Sequence, residues 1–463
     1  VSRIAGSGLA RVTVASPRRR VDVALPESIV VAELLPGLLR HAGEGMADDG
    51  QAHGGWVLRR ADGALVDPSR SLGVQDVRDG EILHLVAKQA EWPEMDYDDV
   101  VDAIATGARK QSRAWSGAAT RLAGIAVTCL TLLVGLLLIM LSGPSWTMPG
   151  AVALVLAVVL LVAAVVLSRA MSDAAAGTPI GVVAMLYAFG GGLVILGGEN
   201  PFNALGSSEY LVASASLLLL SFLAYVGVAN QTQFFVAGML IGLMGIIASV
   251  LTRASYIGPF DSAAIIVTVV IAFTPIYPIL AIRLGKLPVP ALPTSTEDLL
   301  ADPPQVPLDR VHATVRRSDE ILTGLLLGSS VVLVVAQFAL VKSALTSAII
   351  LTLVVASASL LRARLFPAAR HRIPLLFSGL GGMTAVALGS LAASDTFRIS
   401  VMVPILVVVA GLVLTAGIYF QRRQPTPYFG RIADILDVLL VIAIVPVMCI
   451  VVGLYGYLRG LYG

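Results

Sequence analysis

Between Leu122 and Ser142 the chain carries neither a charged residue nor a histidine. At 1.5 Å of rise per residue, about 20 apolar residues cross a hydrocarbon core of about 30 Å. Similar stretches follow at 148–168, 178–196, 210–229, 234–252, 262–282, 321–341, 343–361, 373–393, 399–420 and 435–457. The pattern predicts eleven transmembrane helices.

Before residue 90 the period is different. Val12 and Val14 alternate with Arg11 and Thr13, and Val21, Val23 and Leu25 alternate with Arg20 and Asp22. Both are the two-residue period of a half-buried strand. Ser16-Pro17-Arg18 supplies the turn between them. Val31, Leu34, Leu35 and Leu38 recur at helical spacing, with Pro36 expected to kink that helix or shift its start. Gly43 to Gly55 reads as a loop. Trp56-Val57-Leu58 reads as a third strand and Ala64-Leu65-Val66 as a short fourth. The last strand, around Ile82 to Val86, is apolar on both faces, as a central strand would be. The pattern predicts a small α+β domain at 1–90.

Residues 91–121 form a neck. Asp96, Asp98, Asp99 and Asp102 precede Arg109, Lys110, Arg113 and Arg121, an order that suits a helix dipole. The neck reads as a linker helix at the cytosolic surface whose basic end meets anionic lipid headgroups. The domain plan continues as six spans over 122–282, a cytosolic proline-rich loop over 283–320, and five spans over 321–463.

Charge placement orients the block. With the N-terminus in the cytosol, the neck and inner loops hold seventeen Lys and Arg. The outer segments hold only Arg253, Lys342, Arg398 and Arg459. Cations near spans are retained on the cytoplasmic side. The expected topology is therefore N-terminus inside and C-terminus outside.

Within the spans Asp437 is the one charged residue expected, in the first turn of the last span. Arg431 or the lipid headgroups are its expected partners. Gln337 is the one side-chain amide there. Intramembrane charges mark ion and proton routes, so their scarcity weighs against a pump. Gly238, Gly242 and Gly245 form a small-residue stripe, and Gly381 and Gly382 break up a later span. Such residues let helices approach closely, within one subunit or at a dimer face. Pro275, Pro278, Pro404 and Pro446 are expected to kink their helices.

The long inner loop begins with Arg283 and Lys286, runs through Leu287-Pro288-Val289-Pro290, and reaches a helix capped by Asp309. With Arg310, Arg316 and Arg317 it reads as a partner-binding loop.

Composition agrees: 57% of residues are hydrophobic and only 13% charged, against about 25% charged in soluble domains. Cys129 and Cys449 lie in apolar spans and read as small buried hydrophobes. Residues 1–40 hold no apolar core long enough for a signal peptide. The chain opens on Val1, so an initiator region is expected to be missing. His41, His53 and His84 lack metal-ligand spacing. No Walker A, GxSxG or HExxH sequence is present, so neither an enzyme activity nor a cofactor or metal is expected, and nothing points to nucleic acid.

Two resemblances follow. Ser71-Leu72-Gly73-Val74, followed by Val77-Arg78-Asp79-Gly80-Glu81-Ile82-Leu83, resembles the turn before the final strand of the ubiquitin-like β-grasp. The chain runs on into Ala87-Lys88-Gln89-Ala90 instead of a free di-glycine tail, so the head is a docking module and not a conjugated modifier. Over its full length the architecture resembles EccD, the polytopic membrane component of actinobacterial type VII (ESX) secretion systems. That resemblance implies an inner-membrane complex in which two copies enclose a lipid-filled cavity. It also implies a head that contacts EccB and the EccC ATPase, with EccE as a further subunit. The alternative reading is a secondary transporter of a small solute with a regulatory cytosolic head.

Overall fold

The computed structural model describes residues 8–17, 19–43, 45–50, 54–60, 62–88, 115–228, 230–253, 257–287, 307–392, 394–422 and 427–462. The chain divides into two compact units, Val1–Trp115 and Ser116–Gly463.

The described residues of the first unit form a five-stranded sheet with one long helix. Its elements are β1 (Leu9–Ala15), β2 (Arg20–Pro26), α1 (Val31–Ala42), α2 (Met46–Asp49), β3 (Trp56–Arg60), β4 (Leu65–Val66) and β5 (Ile82–Ala87). The strand order is β2-β1-β5-β3-β4. Only the β1–β5 pairing is parallel, with Val14 opposite Leu83. The β1–β2 hairpin closes with the Ser16 amide donating to the Arg19 carbonyl at 3.0 Å.

Period-2 patterning sends Ala10, Val12, Val14, Leu58, Leu83 and Leu85 to one face, where Val31 and Leu38 of α1 cover them. The strand β5 is central, as its apolar run predicts, but only Leu83 and Leu85 are buried. Ile82, His84 and Val86 lie on the other face, which stays partly open. The helix α1 starts at Val31 and runs through Pro36 without a break. The expected loop after it contains α2, whose Met46 carbonyl accepts from the Trp56 indole at 2.8 Å. Before β5, the Asp79-Gly80 turn is tied to β1. The Arg11 amide donates to Asp79 Oδ1 at 2.6 Å, and the Gly80 amide donates to the Arg11 carbonyl at 2.7 Å.

The second unit contains eleven described helices long and apolar enough to cross a membrane. They are Gly117–Met140, Thr147–Arg169, Ala174–Val194, Ser207–Gly227, Gln233–Arg253, Pro259–Gly285, Leu308–Lys342, Thr346–Ala363, Ala369–Gly389, Asp395–Gln421 and Tyr428–Val451. We number them as spans one to eleven.

Four details differ from the sequence expectation. Span one starts at Gly117, so Arg121 lies inside its helix. Asp309 does not cap span seven; Pro307 holds that position and Asp309 falls in the first turn. Span eleven stops at Val451, where Gly453 turns with φ of 75° into a short helix, Leu454–Tyr462. The helix that carries span eleven begins at Pro427, which moves Asp437 from the first turn to the third.

Span six breaks at Pro275. An α-helix over Pro259–Phe273 passes through a 3-10 turn, Thr274–Ile276, into a second helix, Tyr277–Gly285.

Candidate functional site: the polar layer and the tight glycine contacts

Consecutive spans alternate in direction, so odd spans begin, and even spans end, at one end of the unit. That basic end holds most of the polar contacts between helices. Arg121 of span one pairs with Asp173, whose carboxylate also accepts from the Ala176 amide at the start of span three. Arg169, ending span two, donates to the Gly227 and Val226 carbonyls, both at 3.0 Å. Those carbonyls are among the four that the end of span four leaves without helical partners.

Span seven holds the next group. Glu320 accepts from the Thr232 amide at 3.1 Å and the Thr232 hydroxyl at 2.8 Å, in the turn between spans four and five. Arg316 donates to Glu320 and to Asn230 Oδ1 at 3.0 and 2.9 Å. Arg317 donates to the Tyr225 hydroxyl at 3.1 Å. Asp319 pairs with Arg370 and stands 3.2 Å from His371 Nε2.

The third group corrects the sequence expectation for Asp437. Its partner is Arg362, at 3.4 Å, and not Arg431. Arg362, expected in an inner loop, is the penultimate residue of span eight and only 4% exposed. It also donates to the Ile271 carbonyl in span six. Arg364 pairs with Asp434, one turn before Asp437, and donates to the Gly430 carbonyl at 3.3 Å. No spacing rule pairs positions 362 and 437, so the sequence reading missed this node. Pro275, four residues after Ile271, was the available signal: a proline cannot donate to the carbonyl four residues back.

At the other end, Trp146 is buried and its indole donates to the Asn200 carbonyl at 2.8 Å. The ion pair described there, Arg398 with Asp395, lies within one turn of chain.

The glycine stripe packs inside the chain. A Cβ on Gly242 would meet the Leu218 amide nitrogen and the Ser214 carbonyl oxygen of span four, both at 2.8 Å. Gly238 faces Ser221 and Met185, and Gly245 faces Ser214. In the second half, Gly381 lies against Val334, and Gly382 lies against Gln337 and Ala356. Gln337 is fully buried; its amide nitrogen approaches the Ser378 carbonyl at 3.4 Å, and its Oε1 has no hydrogen-bond partner.

Of the other predicted residues, Arg283 lies in the last turn of span six, Lys286 caps that helix with φ of 56°, and Arg310 is exposed. Arg109, Lys110, Arg113 and residues 288–306 of the proline-rich loop lie outside the described residues. Among the described residues no three or more His, Cys, Asp or Glu side chains converge as a metal site.

A sheet of this order and, in the same chain, eleven apolar helices define a multi-pass membrane protein with a ubiquitin-like domain. The EccD-like transmembrane domain matches residues 120–461, and YukD of the WXG100 protein secretion system matches residues 9–85. The chain belongs to the EccD family of type VII secretion, whose members are structural membrane components and not enzymes.

It is 26% identical to the ESX-4 secretion system protein eccD4 of Mycobacterium tuberculosis, over 98% of both chains. Its fold matches a chain in the structure of protomer 1 of the ESX-3 core complex, with a TM-score of 0.67 and 20% identity. That match covers 97% of this chain and all of the other. A chain of the MycP5-free ESX-5 inner membrane complex matches with a TM-score of 0.58 and 19% identity, over 88% of this chain and 99% of the other.

Proposed function

We propose that this chain is a structural inner-membrane subunit of a type VII secretion complex that works as a pair of copies. The pair encloses a membrane cavity, and the ubiquitin-like head docks the EccC ATPase and EccB, with EccE completing the complex. The carrying observation is the uneven burial of the spans. In the most apolar window of spans one and ten, no residue is buried, and in span eleven only 11% are. Span three, by contrast, is 72% buried. Helices that their own chain leaves so largely uncovered are free to line a cavity or meet another subunit. Membrane complexes that include relatives of this fold agree with that reading.

The head sits on the cytosolic side and the C-terminus outside. The sorting of Lys and Arg supports this orientation, as does the collection of interhelical ion pairs at the basic end.

A transporter needs a midplane site at broken helices. Span six is broken, but the carbonyl at its break accepts from Arg362, which favours the assembly role. Native mass spectrometry of the complex in mild detergent is the test. Two copies with an ATPase and other membrane subunits are expected. A partner-free monomer, or ion-driven solute uptake by purified protein in liposomes, would replace this reading.

A further inference from the structure

Span eleven is lightly buried, and span ten, ahead of it, is not buried at all. What seats span eleven? In its second half span eleven contributes Ile444 and Val451 to the buried cluster that also holds residues of spans six and eight. Nearer the basic end the contact is polar. Arg362 meets the Asp437 carboxylate with Nε and the Ile271 carbonyl with another guanidinium nitrogen.

That carbonyl is available for a chemical reason. In an uninterrupted helix it would accept the amide of residue 275, but Pro275 has none. The Thr274 amide takes up one acceptor direction in the 3-10 turn, and a carbonyl oxygen has two. Arg362 fills the second. A guanidinium is a fork of donors able to serve a carboxylate and a carbonyl together. Intramembrane charges persist when they pair with one another or with backbone carbonyls, and here one arginine does both.

We propose that Arg362 is a positioning residue: a three-helix tie that joins the broken span six to span eleven through the end of span eight. Arg364 and Asp434 form a separate, partly exposed pair that contributes little to this seating. The inference stands apart from copy number and partners, because its readout lies within one chain.

The test uses the full chain with a specific protease site inserted in the loop before Asp395. The purified protein is cleaved in mild detergent, and retention of the C-terminal fragment on the tagged body is measured. In the otherwise unchanged protein the fragment stays. In Arg362→Met, retention falls at least about fivefold, because Asp437 and the carbonyl both lose their buried partner. Asp437→Asn makes the same test if Arg362→Met yields no folded body. Arg362→Lys loses retention as well, and Pro275→Ala restores part of it by returning an amide to the Ile271 carbonyl.

Exchanging Arg364 and Asp434 leaves retention unchanged. Exchanging Arg362 and Asp437 does not rescue it, because an aspartate at 362 has no donor for the carbonyl. Full retention in both Arg362→Met and Asp437→Asn would overturn the proposal. So would full rescue by the 362/437 exchange, which would reduce the node to a plain ion pair.

Discussion

Gln337 and Gly382 show how little room the helical unit leaves. A Cβ on Gly382 would collide with Gln337 Oε1 and stand 2.9 Å from the Ala356 Cβ. The amide therefore occupies the space that a side chain would need. Gly382→Ala forces Gln337 out of its buried place and is expected to destabilise the protein by about 1–3 kcal/mol. Thermal unfolding in detergent checks this, with Gly411→Ala as control, because a Cβ there meets nothing within 4 Å. In the head, Asp67 accepts from the Ser69 hydroxyl at 2.6 Å and the Ser69 amide at 2.9 Å. The Ser69 hydroxyl first, then its amide, holds the Asp67 carboxyl below the usual 3.8. A lowered folded pKa gives stability that is present above 3.8 and is lost as pH falls through the folded value. Ser69→Ala is expected to move the Asp67 titration upward, as read by NMR of the head in the full chain. Neither contact is legible as such in the sequence. Asp67-Pro68-Ser69 reads as a turn, and Gly382 as one small residue among several.

At the scale of elements, span seven stands out. Its 35 residues form one helix, about 52 Å long at 1.5 Å per residue, against a hydrocarbon core of about 30 Å. The excess of about 20 Å holds Arg310, Arg316 and Arg317, so the end of the predicted partner loop is a rigid continuation of the membrane helix. Glu320 anchors that continuation to the turn between spans four and five. Glu320→Ala leaves the Thr232 amide and hydroxyl without this acceptor, at a cost of about 1–3 kcal/mol. Faster hydrogen exchange at the Thr232 amide is the expected readout, with unchanged exchange in the head sheet. The helices themselves were legible. The spans follow from length and apolarity, and the break in span six from Pro275. In α1, Pro36 produced no break, because burial of Val31 and Leu38 against the sheet outweighs one missing hydrogen bond. The last strand was correctly central, yet the sheet keeps one face partly open, because among the described residues of the head a single long helix covers the other.

For the whole molecule, the orientation proposal makes a direct prediction. Ser145 lies in the loop between spans one and two, and Ser172 between spans two and three. In intact cells Ser145→Cys is expected to react with an impermeant thiol reagent. Ser172→Cys is expected to react only after the membrane is opened. The reverse pattern would invert the topology.

What the sequence alone determined was local and additive. Twenty apolar residues need a bilayer wherever they occur, alternation makes a strand, and cations at successive loops choose a side. What only the tertiary structure decided was which distant groups meet. Arg362 finds Asp437 and a carbonyl exposed by a proline in a third helix; Glu320 finds Thr232; Gly382 makes room for Gln337. A buried polar group takes its partner from whichever helix lies beside it, and that neighbour is set by packing of the whole bundle, not by separation along the chain.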